Sequence, residues 1–196
     1  MSLIANFTDR YLPPDKLNPF LWSFKNLGNL NVLGYSEEKR PIYGYKIGKG
    51  SLKVLIWSQM HGNESTTTKA IIDLLSLFEN GDLPELLKKL KLIIIPQLNP
   101  DGAALYARFN TNSVDLNRDF VNLTQSESKT LMKVFNKTNP DFCFNLHGQR
   151  TIYSAGKMGL PATLSFLAPA SDDKGTISKS RENSMKLIAS INSSMQ

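Results

Sequence analysis

Apolar residues recur at two different spacings along this chain, and each change of spacing marks a predicted element. Runs at about Asn31–Tyr35 and Ile42–Ile47 are short and rich in β-branched and aromatic residues, which predicts two strands. Gly48-Lys49-Gly50 turns the chain into a third such run, Leu52–Ser58. From Ser65 to Phe78 the period becomes helical, with Ala70, Ile71, Leu74, Leu75 and Phe78 on one face. Pro84–Leu90 reads as a short helix. Leu92-Ile93-Ile94-Ile95 has no polar position, as expected of a strand covered on both faces. Asn99-Pro100-Asp101-Gly102 interrupts the pattern with turn residues. Thr124-Gln125-Ser126-Glu127 has the spacing of a capping box at the head of a helix reaching about Lys137. Phe142–Leu146 is the next buried strand, and Ile152–Ser154 and Thr163–Leu167 are weaker ones. A last helix covers about Ile177–Ser193, with Met185, Ile188 and Ile191 on its inner face. The lead-in, with Pro13-Pro14 and Asn18-Pro19, is expected to be irregular around one short helix.

Strands alternating with helices imply an α/β sheet covered by helices. Binding sites in such folds collect at the carboxyl ends of strands. At 196 residues, with 41% hydrophobic and 20% charged residues, the chain is expected to form a single domain with its own core. No apolar stretch is long enough to cross a bilayer, and the first residues lack the basic and apolar regions of a signal peptide. Cys143 is the only cysteine, so no internal disulfide forms. A reducing, cytoplasmic setting is the expectation. The net charge of +6 comes from scattered lysines without an aromatic-interleaved basic stripe. No nucleic-acid and no membrane partner is expected.

Chemistry concentrates on the two histidines. His61 opens His61-Gly62-Asn63-Glu64 directly after the third strand run, and His147 ends the Phe142–Leu146 run. A helix starting near Gly62 would turn His61 and Glu64 toward one point above the strand end. His147 would then join them from a second strand. Two imidazoles, a carboxylate and an open position describe a hydrolytic zinc centre rather than a structural one, with ligand distances of about 2.0–2.2 Å. Taken singly, each histidine has a plainer reading, because a histidine at a strand end is more often a satisfied polar group than a ligand.

Four segments occur in order: His61-Gly62-Asn63-Glu64, Asn99-Pro100-Asp101-Gly102, Asp115-Leu116-Asn117-Arg118 and Asn145-Leu146-His147. Together they resemble the zinc carboxypeptidases (the carboxypeptidase A-like metallopeptidases) over Leu52 to Gly148. The resemblance implies a three-layer α/β/α sandwich around a mixed, mostly parallel twisted sheet. It implies one Zn²⁺ held by His61, Glu64 and His147, with Asp115 orienting the first histidine. Asn117 and Arg118 match the pair that binds the free carboxylate of a peptide or small amide substrate, for which a guanidinium is a planar fork. Arg108 aligns with the arginine that stabilises the oxyanion. Plainer readings stand beside these. Arg118 and Asp119 could form a surface ion pair, Asp101 could favour a turn, Arg108 could be solvated, and Asn63 could start the helix. Gly148 and Gln149 depart from the pancreatic enzymes, where a serine and then an aromatic residue follow the third ligand.

The family mechanism also needs a glutamate general base, located on a late strand after the third ligand. Glu127 is expected to be a capping partner and Glu182 to be exposed, so neither substitutes for it. The expectation is therefore an incomplete domain, lacking its C-terminal part, that binds zinc but hydrolyses peptides poorly. The succinylglutamate desuccinylase and aspartoacylase group shares His-Gly-Asn-Glu and Asp-Leu-Asn-Arg, which leaves N-acyl amino acid hydrolysis as an alternative. A non-catalytic zinc- and carboxylate-binding module is a second.

Overall fold

The computed structural model describes residues 10–24, 26–28, 30–148, 154–155, 160–161 and 164–195. They fall into two compact units, Met1–Gly148 and Gln149–Gln196.

The first unit is built on strands β1 (Leu30–Tyr35), β2 (Pro41–Ile47), β3 (Leu52–Ser58), β4 (Leu90–Ile95) and β5 (Phe142–Leu146). They form one five-stranded sheet in the order β1-β2-β4-β3-β5. β1 pairs with β2, and β2 with β4, in antiparallel fashion, whereas β4 and β5 flank β3 in parallel. The helices are α1 (Pro14–Ser23), α2 (Thr66–Glu79), α3 (Pro84–Lys89), α4 (Pro100–Ala104), α5 (Leu116–Asp119) and α6 (Ser126–Thr138).

β4 shows why the sheet is sandwiched. Its side chains alternate between faces. Leu92 and Ile94 join a core with Leu17 and Leu21 of α1 and with Ile71, Ile72 and Leu75 of α2. Ile93 and Ile95 join a second core with Leu116 of α5 and with Leu131 and Val134 of α6. The unit thus has three layers around a mixed sheet, as the resemblance implied, with two of its four strand pairings parallel. Fully burying each isoleucine is worth about 1.5–3 kcal/mol.

The one short helix expected in the lead-in is α1, with Leu17 and Leu21, one helical turn apart, both fully buried; other local expectations change. Pro14 opens α1 where its missing N–H is not needed, and Pro19 is accommodated inside. The Asn99–Gly102 segment is the head of α4, with Asn99 Oδ1 accepting from Gly102 N at 2.8 Å. Asp101 does more than favour a turn. It is buried and accepts from Ser36 Oγ (2.7 Å), Arg40 Nη1 (2.6 Å) and Glu38 N (3.0 Å), all in the β1–β2 turn.

The capping box does not form. Glu127 is fully buried and points inward, where it accepts from Asn110 Nδ2 at 3.3 Å and from Glu37 N at 3.4 Å. Burial pushes its carboxyl above the usual range. Other acids serve the head of α6. Asp119 accepts from the N–H groups of Thr124 and Gln125, both at 2.9 Å, and Glu37 accepts from Ser126 N at 2.6 Å.

Among its described residues the second unit has two two-residue strands, β6 (Ser154–Ala155) and β7 (Leu160–Pro161), and helix α7 (Lys179–Ser194). Of the predicted strand Ile152–Ser154, residues 152 and 153 lie outside the described residues. The predicted strand Thr163–Leu167 is not one over its described residues, 164–167. α7 starts at Ser178, whose Oγ accepts from Arg181 N at 3.2 Å. The predicted inner face of this helix is absent: none of its residues is buried, and Met185 is 45% exposed. Glu182 lies on the surface, paired with Lys179 and Lys186. Among the described residues no helix is long and apolar enough to cross a membrane.

Candidate metal centre

β3 and β5 run side by side and end together, with Ser58 opposite Leu146. His61 lies three residues beyond one strand end and His147 one beyond the other, so the parallel register itself brings the two imidazoles together. Their ring centroids are 4.9 Å apart.

Below His61 the chain is held by buried polar groups. Thr68 Oγ1 donates to Gln59 Oε1 at 2.8 Å, and Gln59 Nε2 donates to Gly62 O at 2.7 Å. Gln59 sits at φ 49°, a left-handed conformation that swings the chain out of the strand. The expected helix at Gly62 is instead a turn, closed by Glu64 N donating to His61 O at 3.0 Å, and α2 begins only at Thr66. Asn63 is therefore not the helix cap. Gly62 is required here by close approach: a Cβ on it would lie 2.0 Å from the carbonyl carbon of Gly102. This contact seats the His61 loop directly on α4.

Glu64 lies between the two histidines. Its Oε1 is 2.9 Å from His61 Nδ1 and its Oε2 is 3.0 Å from His147 Nδ1. Gly148 N also donates to Oε2 at 3.0 Å, a contact that depends on backbone direction after β5 and has no signal in residue types. Burial pushes the Glu64 carboxyl up, but the hydrogen bonds from His147 and His61 outweigh it and hold it down at about 2.

Behind His61 stands Asp115. Its Oδ1 is 3.2 Å from His61 Nε2 and accepts Asn117 N at 2.9 Å. Its Oδ2 receives Arg108 Nε at 3.2 Å and Arg108 Nη2 at 3.1 Å. Burial raises the Asp115 carboxyl, and His61 and Arg108 together bring it below its usual range. Arg108 is thus not a free solvated residue: it braces Asp115 and lies 3.5 Å from Glu64 Oε1.

His61, Glu64 and His147 each offer a ligand atom, all within 4.8 Å of one another. The donor set suits a cation. Both nitrogens of His61 face carboxylate oxygens. His61 can donate to only one of them while it is neutral; with its proton on Nε2 toward Asp115, Nδ1 becomes the lone pair that a metal ion shared with Glu64 would take. Imidazole and carboxylate are also the ligand types zinc takes.

Arg118 and Asn117 lie on α5, just past Asp115. Arg118 is exposed. The surface ion pair with Asp119 is not formed: Asp119 is buried and bonded to Thr124 and Gln125. Asn117 faces a largely apolar cavity of about 320 Å³, bounded by Trp57, Met60, Phe120, Leu131 and Phe135. The sequence carried no signal for this cavity.

A family model described as zinc carboxypeptidase matches residues 20–141. The chain belongs to the zinc carboxypeptidase family. His61, Glu64, Arg108, Asp115, Asn117 and Arg118 lie inside the matched stretch of this family member; His147 lies just beyond it, and strand register and distance place it at the site. A probable carboxypeptidase 2 from Arthroderma benhamiae is 29% identical over 106 residues, 50% of this chain and 19% of that protein. Carboxypeptidase D from Rattus norvegicus is 24% identical over 202 residues, 86% of this chain and 14% of that protein. The chain thus spans about a fifth or less of the length of these relatives. Among solved structures, a metallo-carboxypeptidase from Burkholderia cenocepacia shares the fold. Its TM-score is 0.65 at 23% identity, over 71% of this chain and 42% of that one. The family is one of metallocarboxypeptidase hydrolases, and the N-acyl amino acid alternative is not favoured.

Proposed function

We propose that this chain holds one zinc ion through His61 Nδ1, Glu64 and His147 Nδ1, and that the site serves removal of C-terminal residues from peptides. The observation that carries the reading is the convergence of these three donors, within 4.8 Å, at the paired ends of β3 and β5. When bound, the metal would lower the pKa of a bound water and polarise a substrate carbonyl.

The chain's own residues divide the remaining work. Asp115 accepts the Nε2 proton of His61 and so presents Nδ1 as a lone pair. Arg118, exposed on α5 and free of Asp119, offers its fork to a substrate carboxylate, with Asn117 beside it. Arg108, anchored on Asp115 at one edge, keeps Nη1 on the metal side for a developing oxyanion.

Proton transfer from water needs a further acceptor. Glu127 is held inward against Asn110 and Glu182 is paired with Lys179 and Lys186, so neither is assigned that part, and the polypeptide alone is proposed to bind zinc and turn over peptides slowly. Assaying the 196-residue chain with zinc against peptides bearing free C-termini tests this: zinc uptake with weak turnover is expected. Turnover at ordinary enzyme rates would refute slow turnover by this polypeptide, and failure to bind zinc would refute the site.

A further inference from the structure

Arg108 and Asp115 are seven residues apart, yet one braces the other behind His61. The turn between them is wound around a single buried side chain. Asn110 is 5% exposed. Its Oδ1 accepts from both Asn112 N and Val114 N, each at 3.1 Å. Its Nδ2 donates to Gln125 Oε1 at 2.8 Å and to Glu127 Oε2 at 3.3 Å. Both donors and both acceptor lone pairs of the carboxamide are therefore used. Its backbone closes the same turn: Asn110 N donates to Val114 O at 3.1 Å, and Ser113 N donates to Asn110 O at 3.0 Å. Ser113 takes the left-handed conformation, at φ 59°, that lets the chain double back.

Asp115 begins where this turn ends, and Arg108 lies two residues before it starts. No other polar side chain among the described residues bonds both to the backbone at the far end of this turn and to α6. Gln125 Oε1 also accepts Asn112 Nδ2 at 2.9 Å, so the turn is pinned twice to the same glutamine. The buried Glu127, which plays no part at the helix head, has its place here as an acceptor for Asn110.

We infer that Asn110 is a positioning residue. By fixing the turn Asn110–Val114 on α6 it sets the span between Arg108 and Asp115, and through Asp115 the ring orientation and tautomer of His61. The inference rests on the metal-centre reading above. It predicts that Asn110, which touches no proposed ligand, controls metal affinity.

The test is titration of the full chain with Co²⁺, followed by its d–d absorption, together with ¹⁵N NMR of the histidine ring nitrogens in the metal-free protein. Wild type is expected to bind Co²⁺ and to show a single protonation pattern on the His61 ring. Asn110→Ala is expected to lose about 10–100-fold in Co²⁺ affinity, the range for groups that orient a ligand. It should also show mixed tautomers at His61 while keeping the wild-type far-UV circular dichroism. A folded Asn110→Ala protein with wild-type affinity and a single His61 tautomer would overturn the inference. If Asn110→Ala does not fold, Gln125→Ala decides. That change removes the shared acceptor but leaves the backbone turn, and a loss of affinity in the same direction supports the inference whereas wild-type binding overturns it. Wild type failing to bind Co²⁺ would instead overturn the metal-centre reading on which the inference stands.

Discussion

The two histidines at the centre arrive on arms of very different build. The His61 arm is buried and braced: its ring side chain is 3% exposed, against 34% for His147. Gly62 is wedged on Gly102, Gln59 ties the loop below, and Asp115 stands behind the ring with Arg108 in turn behind it. The His147 arm is held more lightly: the Glu64 carboxylate takes both its Nδ1 and the Gly148 N–H, and Thr67 Oγ1 donates to Leu146 O at 3.3 Å. A site of this kind has a fixed side that defines geometry and a lighter side that completes the ligand set.

The largest effects should come from the ligands themselves, and they should be alike in affinity but unlike in stability. His61→Ala and His147→Ala are each expected to lose about 3 kcal/mol of zinc binding, on the order of a hundredfold, in a competition titration. Metal-free His61→Ala should also lose about 2 kcal/mol of stability, because a buried ring is removed and Asp115 keeps only Arg108 and Asn117 as partners. His147→Ala should change stability by less than about 0.5 kcal/mol. Equal unfolding midpoints for the two would erase the distinction between the arms.

Next in size is the brace. Asp115→Ala should weaken zinc binding about 10–100-fold while every proposed ligand is still present. Unchanged affinity would mean that His61 is oriented by its loop alone.

The two glycines give a more local comparison. Gly62→Ala drives a methyl into the Gly102 backbone and should destabilise by about 1–2 kcal/mol. Gly148→Ala brings a methyl to 3.2 Å from the Glu64 Cβ, which can give way, and should cost no more than about 0.5 kcal/mol. Urea denaturation of both variants measures the contrast, and a reversal would show that the His147 arm is the tighter one.

The smallest effect is in acid. Burial raises the Asp119 carboxyl, but hydrogen bonds from Thr124 and Gln125 outweigh it and leave it below its usual range. A carboxyl lowered in the folded state contributes stability above its unfolded value of about 3.9, and that contribution fades as the pH drops through the folded value. Asp119→Asn should therefore flatten the acid limb of the stability curve without altering metal affinity at neutral pH. A parallel acid limb would show that Asp119 titrates alike in both states.

The parts legible in the sequence were those governed by local period or by ligand spacing. Leu92–Ile95 had no polar position because its side chains alternate between two cores, and that could be read directly. His61, Glu64 and His147 could be nominated because few side chain types bind zinc. What escaped depended on distant partners. Glu127 had capping-box spacing, but Asn110 on the preceding loop claims it, and Asp119 takes over at the helix head. Asp101 looked like a turn former, while its actual partners, Ser36, Glu38 and Arg40, lie more than sixty residues earlier. The one short helix expected in the lead-in is α1, although its prolines left its bounds open. The apolar positions of α7 followed a helical period without being buried.

Glu64 divides its two oxygens between two strand ends, and this bears on entropy. Ordering a long side chain at a binding site costs about 0.5–1.5 kcal/mol. Here folding has already immobilised all three donors around one carboxylate, His61 and His147 each within 3.0 Å of it. A metal ion entering this site meets donors whose rotational freedom is already spent, so its binding draws little on disorder still present in the chain.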